Sequence, residues 1–310
     1  MKISHQSLGL RPVSATCLLG ESPFWHPQEQ CLYWVDIPGR QICRLDPVSG
    51  QELRWDVPSE PGCIAPSRHG GLLVAHRDGI DRFDPVEGRC LERIVDAPYD
   101  PTLQRFNDGR CDANGRFWIG TLYEPRDQAL AGLYCLERPG DDGPVTLTLR
   151  AGDATTANGL AWSADGLAMY WADSKTHRID CFGFDPATGA LSGRQVWKRF
   201  PNQGETPVGQ PYGGRPDGAA VDIEGCYWTA LYEGGRLLRL SPQGETLLDI
   251  DLPVRCPTMP AFGGSDLRTL YLTTASIKRS PEEMANTPWA GKVLALTVDV
   301  PGLPVAFAAV

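Results

Sequence analysis

A unit of four short extended segments recurs in order along the chain, and it is seen most completely from residue 213 onward, in GGRPDGAAVDIEGCYWTALYEGGRLLRLSPQGE. Asp217–Asp222 reads as a strand of small residues, Ile223–Gly225 as a turn and Cys226–Leu231 as an aromatic and β-branched strand. Arg236–Leu240 is a third strand, and the turn at Pro242–Gly244 leads to a fourth at Thr246–Leu252. A strand of glycine and alanine beside one carrying Tyr227 and Trp228 suits a wedge-shaped sheet, narrow at an axis and wide outside. An acid at the head of the narrow strand, here Asp217, then points into a central channel.

The unit occurs six times. Trp34, Val74, Trp118, Trp171, Trp228 and Tyr271 each sit in a second strand, spaced 40 to 57 residues apart. That spacing suits four-stranded blades with insertions in two of them. Turns of one type recur farther out at Asp46–Gly50, Asp84–Gly88, Asp185–Gly189 and Ser241–Gly244. The chain is therefore expected to be all-β, a six-bladed β-propeller of four-stranded antiparallel blades forming one domain over residues 1–310. The 34 Gly and 27 Pro supply the turns that so many short strands need. Extra segments at Glu124–Ala131, Pro201–Arg215 and Ser276–Ala290 are candidate lids, the last with a helical turn at Ser280–Asn286. Either Val13–Leu18 or Pro304–Ala308 can supply the strand that closes the ring. Trp118 and Trp171 are expected to pack between blades.

The formal net charge of −9 argues against a nucleic-acid surface or an anionic membrane as partner. Met1–Gly20 lacks the features of a secretory signal and no run of 18 apolar residues occurs, so a cytoplasmic protein, monomeric or weakly homo-oligomeric, is expected. The ten cysteines are dispersed singly, without a Cys-x-x-Cys pair, and read as small strand hydrophobes. Cysteine and the five histidines show no close spacing of the kind a zinc site uses.

Aligning the six units on their first turn and stepping back five residues gives Glu21, Gly62, Asn107, Asn158, Asp217 and Thr258. In equivalent blades these positions share one level at the head of the innermost strand. Asn or Asp before glycine is a common turn residue when taken alone. Independent turns have no reason to share a register with Glu21, which has no turn preference. Glu21, Asn107, Asn158 and Asp217 together offer a ring of carboxylate and amide oxygens, which is what a hard divalent cation requires. Oxygen donors favour Ca²⁺, while Mg²⁺, Mn²⁺, Zn²⁺ and Fe²⁺ stay open through the general affinity order. Arg105, two residues before Asn107, is placed to hold an oxygen-rich substrate or its carboxylate product.

Leu19-Gly-Glu-Ser-Pro-Phe-Trp25, Arg105-Phe-Asn-Asp-Gly109, Ala157-Asn-Gly-Leu-Ala-Trp162, Arg215-Pro-Asp-Gly218 and Phe262-Gly-Gly-Ser-Asp-Leu267 resemble the regucalcin/gluconolactonase family of six-bladed propellers, also called the senescence-marker-protein family, nearly end to end. The resemblance implies a divalent metal on Glu21, Asn158 and Asp217, substrate contacts from Arg105 and Asn107, and hydrolysis of sugar lactones. The register alone leaves Asn107 open as a fourth ligand. The family's mammalian members carry an acidic substrate contact after the Gly-Thr of the third blade. This chain departs from that pattern, with Glu124 one place early.

A cation held there acts as a Lewis acid on a lactone carbonyl. Asp217 is the candidate general base for the attacking water, with a cation-activated water as the alternative. No Gly-x-Ser-x-Gly elbow is present for a serine nucleophile. The same cup could hydrolyse phosphotriesters or aryl esters, or bind calcium without turnover.

Overall fold

Each blade begins with a buried strand that lines a central axis, and the sequence gives those strands little bulk. The structure, a computed structural model, describes residues 2–140 and 143–310. Six antiparallel four-stranded sheets stand around the axis. Their innermost strands are Gly20–His26, Pro61–Pro66, Gln104–Cys111, Ala157–Trp162, Arg215–Val221 and Pro257–Gly263, and each packs on the next until the sixth meets the first. The fit between them is close. A Cβ on Gly62 would lie 2.2 Å from the Phe106 carbonyl oxygen, and one on Gly218 would lie 2.4 Å from Met259 Cβ.

All six innermost strands slip out of register against their second strands at the same level: between Glu21 and Phe24, Pro61 and Cys63, Phe106 and Gly109, Asn158 and Ala161, Pro216 and Ala219, and Pro257 and Pro260. A bulge of this kind turns side chains out of the alternating pattern and aims them anew. Here it coincides with the oxygen-bearing ring positions.

The second strands carry the packing. Trp34, Trp118, Trp171 and Trp228 are buried to within 2%, at the seams where one blade's aromatic face meets the next blade's small residues. In blades 3 and 5 the turn acid anchors the indole, with Trp118 Nε1 donating to Asp112 at 3.0 Å and Trp228 Nε1 to Asp222 at 2.9 Å. Farther out, Val48, Val86 and Ala187 N–H groups donate to Asp46, Asp84 and Asp185, so the repeated turns are Asx turns with one mechanism. Eight of the ten cysteines are buried and all are free thiols.

Ring closure uses the amino end. Arg11–Pro12 pairs with Leu294–Thr297 as the outer strand of blade 6, and Val13 N–H donates to the Val293 carbonyl at 2.8 Å. The carboxyl end lies elsewhere, with Ala308 bridging Ser67 and Gly302 bridging Asp222 at the opposite end of the channel. Lys2–Ser4 adds a fifth, parallel strand to blade 5. The three long insertions all leave from the end of the channel that carries the ring positions, and one of them forms the helix Pro281–Asn286, capped by Ser280. Among the described residues no helix is long and apolar enough to cross a membrane.

Asp222 joins several of these contacts. It is fully buried and accepts from Trp228 Nε1, from Arg239 Nε at 2.7 Å and from the Glu224 and Cys226 N–H groups. Asp222→Ala should lower unfolding free energy by about 3 kcal/mol or more in urea denaturation, because it strands a nearly buried guanidinium and an indole N–H. Asp222→Asn, which retains one carbonyl oxygen, should lose less.

Candidate metal centre at the channel mouth

Glu21, Asn107, Asn158 and Asp217 come together at the bulges of blades 1, 3, 4 and 5, each less than a tenth exposed. A chain of hydrogen bonds links three of these blades. Arg105 Nη1 donates to Asn107 Oδ1 at 2.8 Å and to the Phe106 carbonyl at 2.9 Å. Asn107 Nδ2 donates to the Ala157 carbonyl at 2.8 Å and to Asn158 Oδ1 at 2.7 Å. Asn158 Nδ2 donates to Ser174 Oγ at 2.8 Å, and Ser174 donates in turn to the carbonyl of Pro216, next to Asp217, at 2.6 Å.

The partners fix which way each amide faces. A backbone carbonyl can only accept, so the Asn107 atom toward Ala157 is nitrogen and its oxygen accepts from Arg105. Asn158 then presents oxygen to Asn107, with a second lone pair free for another partner. Asn107 therefore acts on Asn158 as a donor that orients its oxygen.

The carboxylates have no such company. Burial, followed by the like charges of Asp217 and Asp108, pushes Glu21 well above the usual carboxylate range, and it accepts from the N–H of Ser22 at 3.3 Å. Burial pushes Asp217 up to about 8, opposed mainly by Arg215. Two buried acids that repel each other beside a free amide lone pair are the donor set a hard divalent cation fits, since the ion removes the repulsion and replaces lost hydration.

The backbone around these donors is pinned by residues that sequence reasoning did not single out. Asp36 accepts from the N–H groups of Leu18 and Leu19 at 2.9 and 3.0 Å, just before Glu21. Asp173 accepts from the Thr156 N–H at 3.0 Å, just before Asn158. The signal was present, since Tyr33-Trp-Val-Asp36 and Tyr170-Trp-Ala-Asp173 end alike. Thr258, the sixth ring position, donates to the Gly20 carbonyl at 2.6 Å and so holds the strand that carries Glu21. Ser174 follows Asp173 directly and has no sequence signal of its own. Glu124 lies at the rim, gripping Arg77 through contacts of 2.8 and 3.1 Å, and Arg77 lowers its pKa. That ion pair ties the third-blade insertion to blade 2.

Comparison with known proteins finds similarity along most of the chain. Residues 19–276 match the SMP-30/gluconolactonase/LRE-like region. A 6-deoxy-6-sulfogluconolactonase of Pseudomonas putida is 44% identical over 92% of this chain and 93% of its own length. A pentonolactonase of Haloferax volcanii is 38% identical over 86% of this chain and 84% of its own. Among solved structures, a calcium-binding regucalcin of Agrobacterium tumefaciens superposes with a TM-score of 0.87 at 24% identity, covering 100% of this chain and 99% of that one, a likeness of fold. With its profile matched across most of the chain and relatives of this identity covering nearly all of it, the protein belongs to the SMP-30/gluconolactonase/LRE-like family.

Proposed function

We propose that the protein is a divalent-metal-dependent hydrolase that opens sugar lactones to aldonic acids, with its centre at the channel mouth. The observation that carries this reading is the pairing of two buried carboxylates that burial raises, Glu21 and Asp217, with an amide oxygen oriented from behind by Asn107 and Ser174. The names of the relatives, a sulfogluconolactonase and a pentonolactonase, supply the substrate class. Glu21, Asn158 and Asp217 would hold the cation, with Ca²⁺ favoured by the oxygen donors, and the bound ion would supply Lewis-acid polarisation of the lactone carbonyl.

The remaining work falls to the chain's own residues. Arg105 is buried, and its guanidinium is braced by Asn107 and by the Phe106 carbonyl. It offers its remaining N–H groups to the oxygens of the sugar and of the product carboxylate. Asp217 accepts a proton from the attacking water at a carboxylate oxygen.

The defining experiment assays a panel of five- and six-carbon aldonolactones, with 6-deoxy-6-sulfogluconolactone included, before and after chelation and metal add-back. Turnover should vanish with the metal and return with it. Full activity in demonstrably metal-free protein overturns the reading, as does turnover of an organophosphate or aryl ester in preference to every lactone. Calcium binding with no turnover of any substrate would leave a binding protein.

Two substitutions separate the roles. Asp217→Asn should lower kcat by at least about a hundredfold, in line with the loss of a general base. Arg105→Ala should act mainly on KM, as binding shared by ground and transition states does. Equal, modest rises in KM for both would show the assignment to be wrong.

The carboxylates also give stability a pH dependence. Unfolded Asp and Glu titrate near ~4, whereas in the cation-free fold Asp217 is raised to about 8 and Glu21 is raised as well. A raised acid contributes stability that is present below its unfolded pKa and is lost as pH rises through its folded one. The cation-free protein should therefore lose stability between about pH 4 and pH 8, and added Ca²⁺ should raise Tm more at pH 8 than at pH 5. Thermal unfolding with chelator and with Ca²⁺ at both values checks this. Equal shifts would remove these two carboxylates from the metal shell.

A further inference from the structure

Three side chains on one face of blade 2 meet where the sequence showed no metal spacing. His76 ends the second strand, Leu72–His76; Asp81 lies in the third, Gly79–Asp84; and Cys90 lies in the fourth, Arg89–Asp96. Pairing puts them on the same side of the sheet. His76 faces Gly79, and Asp81 is two residues beyond it; Cys90 faces Phe83, two residues beyond Asp81. His76 Nε2 lies 3.5 Å from Asp81 Oδ2 and 3.6 Å from Cys90 Sγ, and the three donor atoms fall within 4.8 Å of one another. His76 is fully buried, Asp81 is 6% exposed and Cys90 is half-buried.

The imidazole is set up from behind. Its Nδ1 lies 3.2 Å from the Ser59 carbonyl oxygen, which can only accept, so Nδ1 carries a proton; burial disfavours a second one, which leaves the lone pair of Nε2 facing Asp81 and Cys90. A lone pair facing a carboxylate oxygen is a contact between two acceptors, and one thiol proton cannot bridge both. Metal-ligating histidines are held in this way, with the far N–H on a backbone carbonyl. The two spacings from Nε2 also fit. Bond lengths of zinc to nitrogen, oxygen and sulfur give tetrahedral edges of ~3.4 Å between N and O and ~3.5 Å between N and S.

The local charge balance leaves room for a cation. Asp81 Oδ1 is taken by Arg93, but Arg93 also meets Asp78 and Asp96, each at 3.0 Å. One guanidinium thus faces three carboxylates, and the ion pair orients Asp81 with Oδ2 toward the cluster.

We propose that His76 Nε2, Asp81 Oδ2 and Cys90 Sγ form a second metal site for a borderline-soft divalent cation of the Zn²⁺ type, distinct from the oxygen-lined centre at the channel mouth. The three protein ligands leave a fourth position to water on the partly exposed Cys90 side. Binding takes the thiolate form of Cys90 and releases its proton to solvent. The bound ion ties the three outer strands of blade 2 together beside its seam with blade 1, where Cys90 packs.

Cobalt(II) reports on such a site, because a thiolate ligand gives a charge-transfer band in the near ultraviolet that an all-oxygen site cannot give. Chelator-stripped protein titrated with Co²⁺ should show the band rising to saturation, and Zn²⁺ should displace it. The band should persist in Glu21→Gln, which alters only the mouth, and vanish in Cys90→Ser. Co²⁺ affinity should fall at least about tenfold in His76→Gln and in Asp81→Asn. Circular dichroism identifies which variants remain folded, and Asp81→Asn, close in shape, decides if the Cys90 or His76 variant does not. No band in the wild-type protein, or a band unchanged in a folded Cys90→Ser, overturns the proposal.

Discussion

The shared bulge in the six innermost strands is the constraint on which the site depends. A regular strand alternates its side chains between the two faces of its blade, and in a propeller both faces belong to neighbouring blades. Slipping the register at one level frees the residues there to face the axis. Each blade then contributes according to what it carries at that level. Blades 1 and 5 bring carboxylates and blades 3 and 4 bring amides; glycine in blade 2 lets the third blade approach, and threonine in blade 6 braces the first.

Because the donors come from different sheets, their mutual geometry rests on contacts between blades. The run from Arg105 through Asn107, Asn158 and Ser174 to the Pro216 carbonyl supplies that link on one side, and Thr258 with Gly20 supplies it on the other. Each bond in the run sets the donor or acceptor face of the next, so the amide of Asn158 has one orientation. The burial that fixes this geometry also raises the charging cost of Glu21 and Asp217. The same packing therefore makes the pocket rigid and leaves it electrostatically incomplete.

The architecture was legible because it repeats. Six aromatic or β-branched second strands and four related outer turns gave the blade count, and counting back from a common turn brought Glu21, Asn107, Asn158 and Asp217 to one register. What lies across strands without a repeat was not legible. Arg11–Pro12 is too short to show any period, so the closing strand could be narrowed only to one end of the chain or the other. Ser174 is one serine among many until the fold lays it between Asn158 and Pro216. His76, Asp81 and Cys90 show no spacing motif because a bulge between Cys90 and Glu92 helps decide which residues of the fourth strand share their face.

The outer strand of blade 6 comes from the beginning of the chain and its three inner strands from the end. During synthesis the ribosome releases Arg11 and Pro12 long before their partner Leu294–Thr297 exists. Five blades can assemble in order as they emerge, but the circle stays open until Leu294–Thr297 has been made. Closing so distant a contact is entropically demanding and slow. The seam between the last blade and the first is thus the final piece of the nascent protein to form. Glu21 lies on one side of that seam and Thr258 on the other, so the mouth acquires its finished shape only when the seam closes.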